Sequence, residues 1–292
     1  MANLGITKED LVLVVGATGR QGGAVAKKLL ENNWKIRVLA RKSEKAFELK
    51  EKGAEIFIGN LDEPSIIEKA FQGVSGVFSV QNFWEAGYEK EIAQGKLLAD
   101  LAKKYQVRHF IYSSVQSANR KTGIPHFESK WEIEEYIRQL KLPYTILRPV
   151  FLMQNFLYPN FKKAIESGVL PMEVKSNRQL QMVNVDHVGD FAQLSFAKQL
   201  IGEELDLASE ELTPVQMADV FSKALGKHVK YMNVPLEESE RTKGKEWAKM
   251  FEWFNKVGYN VNIQQLKSRY GLPLMDLNTF VYRIWIPQKL AV

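Results

Sequence analysis

Short apolar runs alternate with longer amphipathic segments along the first half of the chain. Residues 11–15, LVLVV, form an unbroken apolar run, which is typical of a strand buried on both faces of a parallel sheet. The next segment has apolar residues at Ala24, Val25, Leu29 and Leu30, the spacing of a helix with one buried face. The same alternation predicts five further strands, at residues 34–41, 52–60, 75–80, 107–114 and 143–149, and helices at 62–71, 88–105 and 127–140.

This order predicts an α/β fold, in which residues 1–150 form a doubly wound parallel sheet. Asp62 is the predicted N-cap of the second helix, with Pro64 in its first turn. From residue 151 to 292 the pattern becomes irregular and predicts a smaller mixed α/β region that is interleaved with the first domain and closes over its ligand. The large aromatic residues of this region are interpreted mainly as core: Trp247, Phe251, Trp253, Phe254 and Trp285.

Three glycines follow the first strand at spacings of three residues. Gly16 permits a tight turn, Gly19 lets the backbone approach phosphate oxygens, and Gly22 lets the helix pack close to the strand. The amides at the start of that helix and its positive dipole end favour an anion. Because strand, turn, helix and second strand fit one βαβ unit, the pattern predicts a dinucleotide site.

The end of the second strand indicates which dinucleotide is preferred. A site for NAD usually has an acidic residue there, which accepts the ribose 2′-hydroxyl, whereas a 2′-phosphate needs a cation. This chain has Arg41, followed by Lys42 and Lys45. A guanidinium can pair with a phosphate through two charge-assisted hydrogen bonds, so NADP(H) is favoured over NAD(H).

Composition excludes several other classes of function. A hydrophobic content of 45% is sufficient for a packed globular core. The absence of cysteine excludes thiolate chemistry, and the spacing of the four histidines argues against zinc. The net charge of +6 is dispersed among acidic residues, which argues against nucleic acid as a partner. With no long apolar run and no secretory signal, we expect a cytoplasmic protein without a membrane span, either a monomer or a homodimer.

Four segments together resemble one known family. With GATGRQG at 16–22, the arginine after the second strand, the strand end SSV at 113–115 and HFESK at 126–130, the chain is similar to the NmrA-like branch of the atypical short-chain dehydrogenases/reductases. The resemblance implies a Rossmann fold and NADP(H) binding. It is strongest before about residue 160.

The resemblance also implies a set of cofactor-binding positions. The pyrophosphate would lie at the glycine turn, the 2′-phosphate after the second strand, and the nicotinamide near the fourth strand and near the start of the irregular region. The implied residues are Gly16, Ala17, Thr18, Gly19, Arg20, Gln21, Gly22, Arg41, Lys42, Lys45, Asn60, Leu61, Gln81, Asn82, Phe83, Lys130, Leu152, Met153, Gln154 and Asn155.

Catalysis is where the chain departs from the wider superfamily. The usual enzymes use Ser, Tyr and Lys, but His126 and Lys130 occupy the YxxxK pattern here, so the tyrosine is missing while Ser114 could still polarise a carbonyl. One interpretation is an NADP(H)-responsive sensor or regulator that acts through a protein partner. The alternative is an oxidoreductase in which Lys130 or His126 donates the proton and a quinone, enone or other small carbonyl compound accepts the hydride. A sugar-nucleotide epimerase shares the fold but depends on the missing tyrosine.

Overall fold

The computed structural model describes residues 5–42 and 44–287, except for the side chain of Lys45. The chain divides into two compact units. The first contains residues 1–148 and 185–205, and the second contains residues 149–184 and 206–292. The chain therefore leaves the first unit and returns to it for about 20 residues.

A seven-stranded sheet forms the centre of the first unit. Its strands are β1 (Leu11–Val14), β2 (Ile36–Ala40), β3 (Glu55–Ile58), β4 (Val74–Ser79), β5 (His109–Ser113), β6 (Tyr144–Pro149) and β10 (Glu204–Leu207). They follow the order β10-β6-β5-β4-β1-β2-β3, and the pairs from β3 to β6 are parallel. This confirms the predicted doubly wound, Rossmann-like sheet. Because β2 and β4 lie on opposite sides of β1, the chain reverses direction across the sheet there, and ligands bind outside the carboxyl ends of strands at such a point.

The helices of the first unit include the four that the pattern predicts, at residues 20–31, 64–70, 88–104 and 125–139. The unit's helices are α1 (Arg20–Glu31), α2 (Phe47–Glu51), α3 (Pro64–Ala70), α4 (Phe83–Ala86), α5 (Tyr88–Lys104), α6 (Pro125–Gln139) and α8 (Asp186–Lys198), with 3₁₀ turns at Glu44–Ala46 and Ala118–Arg120.

The prediction of Asp62 as a helix N-cap is wrong. Helix α3 begins at Pro64 with Glu63 at the N-cap, and no side chain caps it. The Asp62 carboxylate instead accepts a hydrogen bond from Gln94 Nε2 at 2.8 Å and pairs with Lys90 at 2.6 Å. These contacts with Lys90 and Gln94 lower the pKa of Asp62. A long-range ion pair with α5 therefore replaces the local cap that the sequence suggested.

The buried His109 on β5 makes the first unit sensitive to acid. Its Nε2 lies 2.7 Å from Thr145 Oγ1, and that hydroxyl donates to Leu200 O at 2.6 Å. Because the threonine hydrogen is already used, Nε2 must be the donor. Nδ1 has no hydrogen-bond partner among the described residues, so a proton there would create a buried, unpaired charge. Burial accordingly lowers the pKa of His109 to about 4.

We therefore expect the first unit to lose stability between pH 6.5 and 4. The unfolded chain binds a proton at His109 below its ordinary pKa, whereas the folded chain does not until about pH 4. The stability that neutral His109 contributes is fully present above pH 6.5. At pH 4 the free energy of unfolding is lower by roughly 3 kcal/mol for this reason. Urea unfolding at several pH values, with His109→Gln as the comparison, measures it. The same loss in both proteins would assign the acid sensitivity to other groups.

The second unit contains two small sheets surrounded by helices. Its strands are β7 (Phe151–Leu152), β8 (Val169–Met172), β9 (Leu180–Val183), β11 (Glu210–Leu212) and β12 (Lys230–Asn233), in the orders β11-β9-β7 and β12-β8. Its helices are α7 (Pro159–Glu166), α9 (Pro214–Leu225), α10 (Leu236–Lys243), α11 (Lys245–Lys256), α12 (Ile263–Tyr270) and α13 (Leu277–Phe280), with a 3₁₀ turn at Met153–Leu157 and a π turn at Val281–Trp285.

Local signals and aromatic burial position the elements of this second unit. Thr213 and Gln216 form a reciprocal capping box at the start of α9, and Gly226 ends that helix with a φ of +63°. The indole Nε1 of the fully buried Trp285 donates to Phe156 O at 2.9 Å. Phe251 and Phe254 are also buried, so the core interpretation is confirmed for these three aromatics. None of the helices in residues 5–42 and 44–287 has the length and apolar content to cross a membrane.

Candidate functional site

The turn between β1 and α1 has the geometry that its glycines predict. Gly16 adopts a left-handed φ of +69°, which residues with a side chain rarely adopt. A Cβ on Gly22 would lie 2.3 Å from Gly16 O and 2.6 Å from Val15 O. Helix α1 therefore begins so close to the end of β1 that position 22 has no room for a methyl group.

The start of α1 is suited to an anion. Gly19 is its N-cap and has no side chain to accept from the first amides, and the first turn contains no acidic residue. Gln21 is held in place because its Oε1 accepts a hydrogen bond from Ser113 Oγ at 2.6 Å. The glycine turn is thereby connected to the end of β5, two strands away in the sheet.

The basic residues after β2 lie at the surface. The Arg41 side chain is 63% exposed and forms an ion pair with Glu85 Oε2 on α4 at 3.1 Å. Lys42 is exposed as well, and the side chain of Lys45 lies outside the described residues. An exposed ion pair of this kind contributes only about 0–1 kcal/mol, so Arg41 can exchange Glu85 for a stronger anion.

The residues after β3 and β4 have different surroundings. Asn60 is half-buried, and Leu61 packs against the core of the first unit. Gln81 is buried, and its Nε2 donates to Ser79 Oγ at 2.9 Å, while its Oε1 has no hydrogen-bond partner within the described chain. Asn82 caps α4 by accepting from the amide of Trp84 at 3.2 Å. The Phe83 ring lies 5.6 Å from that of His126.

His126 and Lys130 lie on α6 in unlike environments. His126 is buried among aromatic rings, with centroid distances of 5.2 Å to Trp84 and 4.8 Å to Phe127. Although it directly follows Pro125 at the start of the helix, it is therefore not a surface histidine. Lys130 Nζ donates to Glu91 Oε1 at 2.9 Å. Ser114 Oγ, just after β5, is buried without a hydrogen-bond partner in the described part of the chain.

The partner of Lys130 is a residue that sequence analysis did not single out. Glu134 lies four residues after Lys130 on the same helix, but it binds two arginines instead. The Glu91 carboxylate is completely buried and also accepts from Ser129 Oγ. Its signal was available in the sequence, because positions 91, 95, 98 and 102 share one face of α5 and the last three are Gly, Leu and Ala. A glutamate on such a face indicates a buried charge with a partner.

The four remaining predicted residues lie in the second unit. Leu152 belongs to β7, and Met153, Gln154 and Asn155 belong to the 3₁₀ turn that follows it. Met153 is fully buried, and the Gln154 amide donates to Asn184 Oδ1. Their role at a nicotinamide therefore stays a prediction.

The arrangement fits a dinucleotide better than a metal ion. The carboxyl ends of adjacent strands position the glycine turn after β1, Arg41 after β2, Gln81 after β4 and Ser114 after β5. Gln81 and Ser114 each present a buried oxygen that lacks a partner among the described residues, which is the kind of group a bound ligand satisfies. No cluster of three or more metal-ligating side chains occurs within residues 5–42 and 44–287.

Comparisons with known proteins identify the class to which this fold and glycine turn belong. The model of the NmrA-like family matches residues 8–281. An NmrA-like family domain-containing protein of Dictyostelium discoideum is 32% identical over 267 residues, which cover 85% of this chain and 88% of that protein. The chain therefore belongs to the NmrA-like family, as its sequence motifs predict.

Two solved structures are similar in fold. One is NmrA, a negative transcriptional regulator, in complex with NADP, with a TM-score of 0.80, 24% identity and coverage of 98% of both chains. The other is the NADPH-dependent quinone oxidoreductase QOR2 of Escherichia coli complexed with NADPH, with a TM-score of 0.81, 20% identity and coverage of 94% of this chain and 99% of that one. At these identities the likeness establishes the fold.

Proposed function

We propose that this protein binds NADP(H) and acts as a redox sensor or regulator that responds to the NADPH/NADP balance. The observation that carries the proposal is the combination of the glycine turn with an exposed arginine after β2. The turn accepts a pyrophosphate on backbone amides, and the guanidinium distinguishes the 2′-phosphate from a hydroxyl. Both regulators and reductases occur among the proteins to which the chain is similar.

Each part of the cofactor has residues suited to hold it. Gly16 to Gly22 would hold the pyrophosphate, and Arg41, Lys42 and Lys45 the 2′-phosphate. Asn60 and Leu61 would border the adenine. Gln81, with its unsatisfied oxygen, would border the nicotinamide end. The family resemblance implies the same role for Leu152 to Asn155. When bound, the nicotinamide can supply or accept a hydride.

The candidate acids favour a regulator over an efficient enzyme. The histidine in the place of the usual tyrosine is packed between Trp84 and Phe127, and a buried carboxylate holds Lys130. A lysine in this position is a strong point charge for orienting a bound group, but Glu91 already occupies one of its donors. We propose that Lys130 is a positioning residue with respect to the cofactor.

Replacing Arg41 with aspartate tests the cofactor assignment. Arg41→Asp should weaken NADPH binding by roughly 2 to 4 kcal/mol and leave NADH binding nearly unchanged, since it removes a charge-assisted pair and adds repulsion. Isothermal titration calorimetry measures both affinities. Lys52→Asp is the control, because it changes the charge by the same amount. Lys52 precedes β3 and so lies near the amino ends of the strands, whereas Arg41 lies at their carboxyl ends. Equal losses for NADPH and NADH would make Arg41 structural.

One observation favours the oxidoreductase as a second candidate. Ser114 Oγ lies at the end of β5 and is free to donate a hydrogen bond to a carbonyl oxygen. NADPH oxidation measured against a panel of quinones and enones separates the two candidates. We expect slow turnover at most; a rate on the order of 1 per second lies within the ordinary range of enzymes and would reject the sensor. A parallel loss of rate in Ser114→Ala would then identify the residue that polarises the substrate.

A further inference from the structure

The ion pair between Arg41 and Glu85 reaches across the proposed nucleotide site. Arg41 follows β2 and Glu85 follows β4, and these strands lie on opposite sides of β1. Adjacent strands are about 4.8 Å apart, so the segments joined by this contact leave the sheet from strands separated by about 10 Å. Between them is the carboxyl end of β1, where the glycine turn begins. The bridge therefore spans the place at which a dinucleotide would enter.

The segment that carries Glu85 is a short helix at the surface. Helix α4 has four residues, Phe83–Ala86, and it is followed by Gly87, which has a φ of +77°. A Cβ on Gly87 would contact nothing within 4 Å among the described atoms, so no described side chain packs against this side of the junction. Trp84, next to Glu85, is 56% exposed, and its ring lies 5.2 Å from that of His126. Movement of Glu85 would change the surroundings of this indole.

We propose that Glu85 is a specificity-determining residue, which competes with the 2′-phosphate of NADP(H) for Arg41 and, once displaced, releases α4. The inference rests on the proposed function and adds to it how the protein responds structurally when NADP(H) binds. NADP(H) breaks the bridge because its phosphate replaces the carboxylate on the guanidinium. NAD(H) has a hydroxyl at that position and leaves Glu85 in place.

The strengths of the two contacts permit this exchange. Both side chains of the bridge are more than half exposed, at 63% and 57%, so water and salt screen their attraction. A phosphate monoester has a charge of about −1.5 to −2 at pH 7 and three acceptor oxygens, so it can pair with a guanidinium through two hydrogen bonds. The carboxylate that it displaces then lies near a like charge, which favours movement of α4 away from Arg41.

Nucleotide affinities of the full-length protein test the competition. Glu85→Gln should bind NADPH about two- to fivefold more tightly than the parent, the factor that corresponds to an exposed ion pair, while NADH affinity stays within about twofold. Glu89→Gln is the matched control, because it removes the same charge four residues away, from an exposed side chain in the first turn of α5. Its affinities should equal those of the parent.

Trp84 fluorescence tests the movement with probes that lack nicotinamide. Adenosine 2′,5′-bisphosphate should change the emission of the parent, adenosine 5′-monophosphate should not, and Trp84→Phe should remove the response. Glu85→Gln should already show the shifted emission without a ligand, which a merely structural role for Glu85 would not produce.

The outcomes separate the inference from the function on which it rests. If the parent binds NADPH and Glu85→Gln behaves like Glu89→Gln, the competition is refuted and the proposed function stands. Equal tightening for NADPH and NADH would also refute it, because Glu85 would then act on both nucleotides. If the parent binds neither nucleotide at millimolar concentration, both proposals fail.

Discussion

Replacing Gly22 with alanine should lower the free energy of unfolding by about 3 kcal/mol and weaken NADPH binding at least about tenfold, because the added methyl group overlaps backbone that cannot rotate away. The overlapping atoms are Gly16 O at 2.3 Å, Gly16 C at 2.4 Å and Val15 O at 2.6 Å from the new Cβ. Helix α1 must move away from β1 to relieve the contact. The amides at its start then leave the position in which, on the proposed function, they would meet a pyrophosphate.

Gly23→Ala is the control for this substitution. Among the described atoms, a Cβ at position 23 meets only Ala17 O, at 3.2 Å, which a shift of a few tenths of an ångström relieves. Alanine in place of glycine within a helix is favourable by about 1 kcal/mol, so the stability of this variant should stay within about 1 kcal/mol of the parent. Urea unfolding and NADPH titration of both variants compare them. If Gly22→Ala is as stable as Gly23→Ala, close packing is not the reason for a glycine at position 22.

The doubly wound sheet could be predicted because its signals are local. Leu11 to Val15 is apolar without interruption, and a strand with such a sequence must be covered on both faces. Val25 and Leu29 are four residues apart and therefore lie on one side of α1. This is the side predicted to be buried, and both residues are completely buried. The role of Gly22 could also be predicted, because a close approach of backbones depends on one residue and its immediate neighbours.

The electrostatic contacts of the site could not be predicted in the same way. Asp62 has the sequence context of an N-cap, yet its partners are Lys90 and Gln94, about 30 residues later. Arg41 and Glu85 are 44 positions apart and meet only because β1 lies between β2 and β4. Such contacts depend on the order of the strands in the sheet, and the spacing of residues along the chain does not reveal that order. Glu91 is the exception, because the small and apolar residues around it on α5 indicate its burial.

A buried charge network connects α6 to β6 and β10, the two strands at one end of the sheet. Glu134 is completely buried and accepts from Arg148 through Nε at 2.9 Å and Nη2 at 2.5 Å, and from Arg138 Nη2 at 2.7 Å. Glu204 at the start of β10 joins both arginines. Burial alone would raise the pKa of Glu204, but the hydrogen bonds and charges of Arg138 and Arg148 outweigh it and lower that pKa. The network thus binds α6, which carries His126 and Lys130, to β6 and β10.

Glu134→Gln should therefore destabilise the protein by about 3 to 5 kcal/mol, because it leaves the buried Arg148 with an incompletely compensated charge. Glu135→Gln is its control on the same helix: Glu135 also binds Arg138, at 2.6 Å, but is 46% exposed, and the loss should be below about 1 kcal/mol. Urea unfolding at pH 7 measures both. Adding Arg148→Met to Glu134→Gln should restore part of the loss, since it removes the cation whose charge Glu204 alone compensates only in part. The double variant could instead be less stable than Glu134→Gln by as much as a second lost contact costs. That result would show that the destabilisation comes from packing around Arg148.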